Sequence, residues 1–401
     1  MKDLLQKGSV VILLGSGGVG KTTVAAALGI AAGSHLNTAL ITVDPAPRLR
    51  DALGLRRLGG RPTGLPTKRL KAAGLDPGLK LSAMLLDVKG AWDSMVERFA
   101  PDPAVRGRIL DNPFYRSLTQ QFAGSEAYAA LEQLYDLHNA AEFDLEIVDT
   151  PPAAHAFEFL QAPARLARLL DSRAARWLFR PYLSVSRYAM KLASRAARFV
   201  VRELERFAGA NVLTVISDFF VAAAETVDSV VDRLRKTEAL LHSPAVRFVL
   251  VTTAEEDRLQ RARTLIDEME AEGLHLSAIV LNRFLDETTW HEMERAGVAA
   301  NLEEIAALRA KLAGNLDRDA GLAALVDFLD DYRAKALDDI ERVARFAREL
   351  PAGACLAMAP EILIGVRDLP ALARLAGFLT GSAPLIAGTA VKRARERAAQ
   401  L

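Results

Sequence analysis

Lys21 and Thr22 stand directly after a glycine-rich segment, Gly15, Gly17, Gly18 and Gly20, which itself follows the apolar run Val10 to Leu14. Glycines let a backbone approach an anion closely, an ammonium reaches its charge, and a hydroxyl suits a hard cation. Two carboxylates complete the set. Asp44 and Asp149 each close a short apolar run, in Val43-Asp44-Pro45 and Val148-Asp149-Thr150-Pro151. Ligands of open α/β sheets bind at such strand ends.

Two motifs overlap in the glycine segment. Gly15, Gly17 and Gly20 satisfy G-x-G-x-x-G, the dinucleotide fingerprint, with Asp44 placed to take a ribose hydroxyl. Gly15, Gly20, Lys21 and Thr22 also satisfy G-x-x-x-x-G-K-[ST], the P-loop. In that second reading the amides of Gly17, Gly18, Val19, Gly20, Lys21, Thr22 and Thr23 cradle phosphates. Lys21 reaches the terminal phosphates, Thr22 ligates Mg²⁺, and Asp149 is the second holder of the metal shell. A Lys-Thr pair at a helix start suits ATP and Mg²⁺, whereas a dinucleotide turn wants small packing residues there. For Asp44 the alternative is a structural turn aspartate.

These residues need a sheet to gather them. Val10 to Leu14, Asn37 to Val43, Leu145 to Val148, Val246 to Val251, Ser277 to Leu281 and Ala354 to Ala359 read as buried strands, the last ending at Pro360. Helical patterns lie between them, including Asp257 to Glu272, so the expected fold is α/β: a largely parallel sheet of P-loop NTPase type with helices on both faces. Residues 54–80 read as a loop or surface excursion, and Leu81 to Ala141 as helical. One ATPase domain over 1–401 is expected, with helical insertions at about 84–140 and 156–243 and a charged helical segment at about 286–350. Leu302 to Leu312 is expected to be an exposed helical hairpin. The basic amphipathic stretch Ala175 to Val201 fits a helical layer packed within the protein or on a partner subunit, a groove for an apolar client, or a helix lying on a membrane surface.

Composition narrows the classes. The chain has 401 residues, 51% of them hydrophobic, enough for a sizeable core, and its 51 basic and 50 acidic residues leave a net charge of +1. That balance gives no reason to expect nucleic acid or an acidic membrane as the main partner. The single cysteine, Cys355, is expected to be a small buried hydrophobe. No run reaches the roughly 18 apolar residues a transmembrane helix needs, so a cytoplasmic protein without a transmembrane segment is expected.

The motifs taken in order resemble the arsenite-pump ATPase family, which includes the targeting ATPases for tail-anchored membrane proteins. The residues carrying the resemblance are GSGGVGKTT, VDPAPRLRDALG, AGSEAYAALEQLYDL, DTPPAAHAFEFL, FVLVTTAEE with AIVLNRF, and APEILIGVRDL. The resemblance implies a P-loop ATPase working as a dimer, with Asp44 polarising the attacking water, Asp149 supporting the metal through water, and Asn282 and Pro360 at the adenine. His155 falls at the family's switch histidine. Three departures stand out: Ser16 occupies the position of the signature lysine in K-G-G-x-G-K-T, PPAAH replaces the usual small polar residues before the histidine, and no proline precedes Ser125. With one cysteine, neither a thiolate metalloid site nor a paired-cysteine zinc site can be reproduced. The leading expectation is a dimeric conformational switch, homodimeric or heterodimeric with a related ATPase chain, acting on an apolar client. The alternative is a nucleotide-binding regulatory subunit with little hydrolysis.

Overall fold

The computed structural model describes residues 1–43, 48–100, 102–121, 125–150, 156–171, 215, 218–219, 222–223, 226–284, 331, 334–335, 338–351, 353–361, 366 and 368–381. Two compact units contain them: Met1–Met84 with Phe143–Ala156 and Ala245–Leu401, and Leu85–Glu142 with Phe157–Pro244.

The first unit is built on strands β1 (Ser9–Leu14), β2 (Thr38–Thr42), β3 (Thr63–Gly64), β4 (Leu81–Leu85), β5 (Leu145–Asp149), β6 (Val246–Thr252), β7 (Leu276–Phe284) and β8 (Cys355–Pro360). They form one eight-stranded sheet in the order β3-β4-β2-β5-β1-β6-β7-β8. β1 pairs in parallel with β5 and β6, β2 with β5, and β7 with β6 and β8, while β3 pairs with β4 antiparallel. The expected largely parallel α/β sheet is therefore present. β1 lies at its centre, where the chain first turns toward β2 and later continues toward β6, which makes its carboxyl end a topological switch point.

Near-continuous apolar strands follow from burial on both faces. Every residue of β1 is buried. Val11 and Leu13, with Val249, Val251, Ala278 and Val280, share a core with helix α1 (Lys21–Gly33). Leu369, Leu372 and Leu375 join that core from the last described helix, Leu369–Thr380. Each such side chain, fully buried, contributes roughly 1.5–3 kcal/mol before the entropy of ordering is counted.

The stretch expected to be a loop at 54–80 contains β3 and a short helix, Thr67–Ala72, whose Leu70 is buried. The expected helix from Leu81 starts instead as β4. Leu, Ala and Met favour helices, but Leu81 sits against Gly29 and Gly33 of α1, and a Cβ on either glycine would crowd its side chain at 3.1 and 3.2 Å. Tertiary packing overrides propensity there. Cys355 is exposed, not buried, because β8 becomes buried only from Ala357 onward; its Sγ lies 3.8 Å from the Met1 amine.

Among the described residues the α-helices in chain order are α1, α2 (Arg48–Ala52), α3 (Thr67–Ala72), α4 (Val88–Phe99), α5 (Pro103–Leu110), α6 (Pro113–Gln121), α7 (Ser125–Ala140), α8 (Ala156–Asp171), α9 (Val227–Leu241), α10 (Glu256–Ala271) and α11 (Leu369–Thr380), with a further helical segment at 338–348. The elements described wholly within the second unit are helices. Asp87 caps α4 by accepting from Gly90 N at 2.9 Å, and Asp102 caps α5 by accepting from Ala104 N at 2.7 Å, with Pro103 opening that helix. A charge network, buried at Glu132 and more exposed toward Arg98, joins three of its helices. Arg233 of α9 donates to both Glu132 oxygens at 2.9 and 3.0 Å and to Asp136, and Arg98 of α4 grips Asp136 at 2.5 and 2.7 Å. Burial pushes the Glu132 carboxyl up despite Arg233. Burial also opposes the charge on Asp136, yet Arg98 and Arg233 outweigh it and hold Asp136 below the ordinary carboxylate range.

The readings at Leu302 to Leu312 and Ala175 to Val201 lie outside the described residues.

Candidate active site

The carboxyl ends of β1, β2, β5, β6 and β7 converge on the loop that leaves β1. Gly15 has φ +150°, and a Cβ there would lie 2.2 Å from the Val251 carbonyl oxygen, so only glycine lets the loop pass this close to β6. Gly20 has φ +94° and caps α1 without any side-chain hydrogen bond, with no acidic residue in the first turn. No acidic residue of the helix itself offsets its positive end, which faces the loop and suits an anion.

Lys21 is buried, and its Nζ donates to the carbonyls of Gly15 at 2.8 Å and Ser16 at 3.3 Å. The ammonium is thus curled over the loop rather than extended into solvent. Thr22 Oγ1 donates to Asp149 Oδ2 at 2.7 Å. Strand register makes that pair: Asp149 stands opposite Leu13 of β1 and Thr42 of β2, and Thr42 Oγ1 donates to the same Oδ2 at 3.0 Å. A hydroxyl and a carboxylate side by side form a hard oxygen donor set, the chemistry that Mg²⁺ takes beside substrate phosphates.

Asn282 closes the loop from the other side. Its Nδ2 donates to the Val19 carbonyl at 2.8 Å, and the side chain is buried. A register irregularity in the β7–β8 pairing lies between Leu281 and Phe284, and Arg283 carries φ +56°. This bulge turns Asn282 onto the loop, a usual effect of an extra residue in a strand. Pro360 ends β8 opposite Phe284, buried.

The structure brings together Gly17, Gly18, Val19, Gly20, Lys21, Thr22 and Thr23 with Asp149 and Asn282, on one edge of one sheet. Asp44 and His155 lie outside the described residues. Two contributors were not singled out from sequence. Thr42 was hidden inside an apolar strand, and its only signal was a hydroxyl two residues before Asp44. Arg258, in the first turn of α10, donates from Nη1 to Ser16 Oγ at 3.1 Å and to the Gly17 carbonyl at 2.9 Å. Nothing in local spacing joins positions so far apart in the chain.

With this loop, lysine and hydroxyl–carboxylate pair in place, comparison with known families is decisive. Residues 9–305 match the model of the anion-transporting ATPase family. The chain belongs to that family. It is 26% identical over 294 residues to ATPase get3 of Schizosaccharomyces japonicus, covering 71% of this chain and 78% of the relative. It is 30% identical over 171 residues to ATPase GET3 of Candida glabrata, covering 39% and 46% of the two chains. A putative arsenical pump-driving ATPase of Chlorobaculum tepidum is 23% identical over 288 residues, covering 69% and 61%. As an anion-transporting ATPase family member, the protein is a P-loop ATPase.

Proposed function

We propose that this ATPase is a nucleotide-driven conformational switch: MgATP closes a dimer, hydrolysis reopens it, and the helical regions at 84–140 and 156–243 move with that cycle to handle an apolar client or partner protein. The observation that carries the reading is the Thr22–Asp149 pair, 2.7 Å apart beside a glycine loop at the sheet's carboxyl edge. It supports metal-assisted phosphoryl chemistry. A Mg²⁺ held by Thr22, with Asp149 behind it, would neutralise phosphate charge as the terminal bond breaks.

The chain's own groups take the remaining roles. Lys21 and the loop amides bind and orient the phosphates; Asp44 polarises the attacking water; Asn282 and Pro360 border the adenine. Hydrolysis then changes the charge facing the strand ends, which is what biases a two-state element in switches of this kind. We place the protein in the cytoplasm; among the described residues no helix is long and apolar enough to cross a membrane.

Steady-state phosphate release by the wild type and by Asp44→Asn, combined with light scattering with and without MgATP, tests the proposal. A dimeric mass whose hydrodynamic radius shrinks with MgATP and a loss of turnover in Asp44→Asn support it. Equal phosphate release by both proteins removes Asp44 from the chemistry, and a monomeric mass in MgATP or an unchanged radius removes the closing dimer.

Ser16 favours a second reading of the assembly. A serine contributes no charge to a neighbouring subunit's nucleotide, so this chain would pair with a related ATPase chain bearing K-G-G-x-G-K-T. Co-purification with such a chain supports the heterodimer; robust turnover by the homodimer alone counts against it.

A further inference from the structure

We infer that Arg258 is a positioning residue of the phosphate loop, supplying from this same chain the cation that holds Ser16 and Gly17 in an anion-ready arrangement. Its directed contacts are those to the Ser16 hydroxyl and the Gly17 carbonyl, at 3.1 and 2.9 Å. Its ionic neighbours are looser: Glu255 at 3.6 Å and Asp257 at 3.8 Å, with both carboxylates mostly exposed and therefore screened by water. The placement is built in, because α10 begins just after β6 and Thr252 Oγ1 donates to the Arg258 carbonyl at 3.2 Å, tying the first helical turn to the strand end.

The consequence for a phosphate follows from simple electrostatics. A carbonyl oxygen turned toward a phosphate repels it, while the N–H on the other side of the peptide attracts it. Lys21 engages the carbonyls of Gly15 and Ser16, and Arg258 engages that of Gly17. Three successive carbonyls are thus each held by a cation, and charge-assisted bonds of this kind are roughly twice as strong as neutral ones. Ser16 is the one polar side chain between Gly15 and Gly20, and it anchors the guanidinium. The two charges also raise the local positive potential that a polyphosphate meets on approach.

The inference rests on nucleotide binding at this loop, and titration of the full chain with ADP and with ATP separates the two. Arg258→Ala is expected to weaken both nucleotides by about tenfold or more, Arg258→Lys by about threefold, since it keeps the charge but loses the planar fork, and Arg258→Gln by an intermediate factor. Thermal melting should move little, and KM for ATP should rise with kcat changed less than about threefold, the mark of lost binding rather than lost chemistry. Arg258→Ala binding within about twofold of the wild type overturns the inference, as does Arg258→Lys binding no better than Arg258→Ala. If Arg258→Ala does not fold, Ser16→Ala decides: about threefold weaker binding supports the role and unchanged binding overturns it. A wild type that binds neither nucleotide overturns both the inference and the ATP-site reading, whereas normal wild-type binding with an unaffected Arg258→Ala overturns the inference alone.

Discussion

Asn282 stands so close to Gly20 that a Cβ added at Gly20 would lie 2.2 Å from its Nδ2. That amide already donates to the neighbouring Val19 carbonyl. A strand bulge, a glycine and a buried carboxamide therefore determine one another's positions at the mouth of the phosphate loop.

Gly20→Ala is expected to abolish measurable ADP binding and lower the melting temperature. The change introduces both the clash and a left-handed backbone strain of roughly 1–2 kcal/mol. Adding Asn282→Ala should recover part of the stability, because the clash disappears while the strain remains. Full recovery in the double variant would mean that φ at Gly20 carries no cost.

Alanine at the three positive-φ glycines of the loop should rank by surroundings. Gly15→Ala meets the Val251 backbone at 2.2 Å, Gly20→Ala meets a side chain, and Gly18→Ala meets nothing within 4 Å. Thermal denaturation should therefore place Gly15→Ala lowest, Gly20→Ala next and Gly18→Ala nearest the wild type. Backbone cannot move aside as cheaply as a side chain.

Asp149→Asn is expected to cut ATP turnover by about a hundredfold and raise the Mg²⁺ concentration for half-maximal rate by about tenfold, because a carboxamide loses the charge that supports a hard cation. Thr42→Val removes one of the two hydroxyls on Oδ2 and should produce a smaller rise, about threefold. Turnover against Mg²⁺ concentration measures both. Identical Mg²⁺ curves for Asp149→Asn and the wild type would exclude Asp149 from the metal site.

In the helical unit, Asp136→Asn should destabilise by about 1–2 kcal/mol at neutral pH, given its charge-assisted bonds to Arg98 and Arg233. The pH dependence has a definite sign. A carboxylate whose folded pKa lies below its unfolded value contributes fully above the unfolded value and loses that contribution as pH falls through the folded one. The gap between wild type and variant should thus close on acidification below about pH 4 in chemical denaturation.

Arg233→Ala acts on the opposite partner. It strips the guanidinium from Glu132, which is only 2% exposed, so a loss of roughly 3 kcal/mol or more is expected at neutral pH. Glu132 titrates upward through burial, and a raised carboxyl pKa makes stability fall as pH rises through the folded value. The variant should regain stability relative to the wild type at mildly acidic pH. A deficit that stays constant from pH 5 to pH 8 would exclude Glu132 as its source.

Much of the site was readable in one dimension because its parts are local. Gly15, Gly20, Lys21 and Thr22 lie within one turn and one helix start, and apolar runs ending in Asp149 or Asn282 announce strand ends. From such runs the parallel sheet and the phosphate loop followed directly. What the sequence could not express is register and approach. Thr42 joins Thr22 on Asp149 only because β2 and β1 flank β5 in a particular alignment. Leu81 is a strand residue because two glycines of α1 admit it, and Cys355 is exposed because β8 is buried only in its later part. Arg258 reaches Ser16 across 242 positions of chain, through the parallel pairing of β1 with β6. Local chemistry selects the loop, but long-range strand pairing chooses which distant side chains hold it, since only the folded sheet brings those strand ends to one edge.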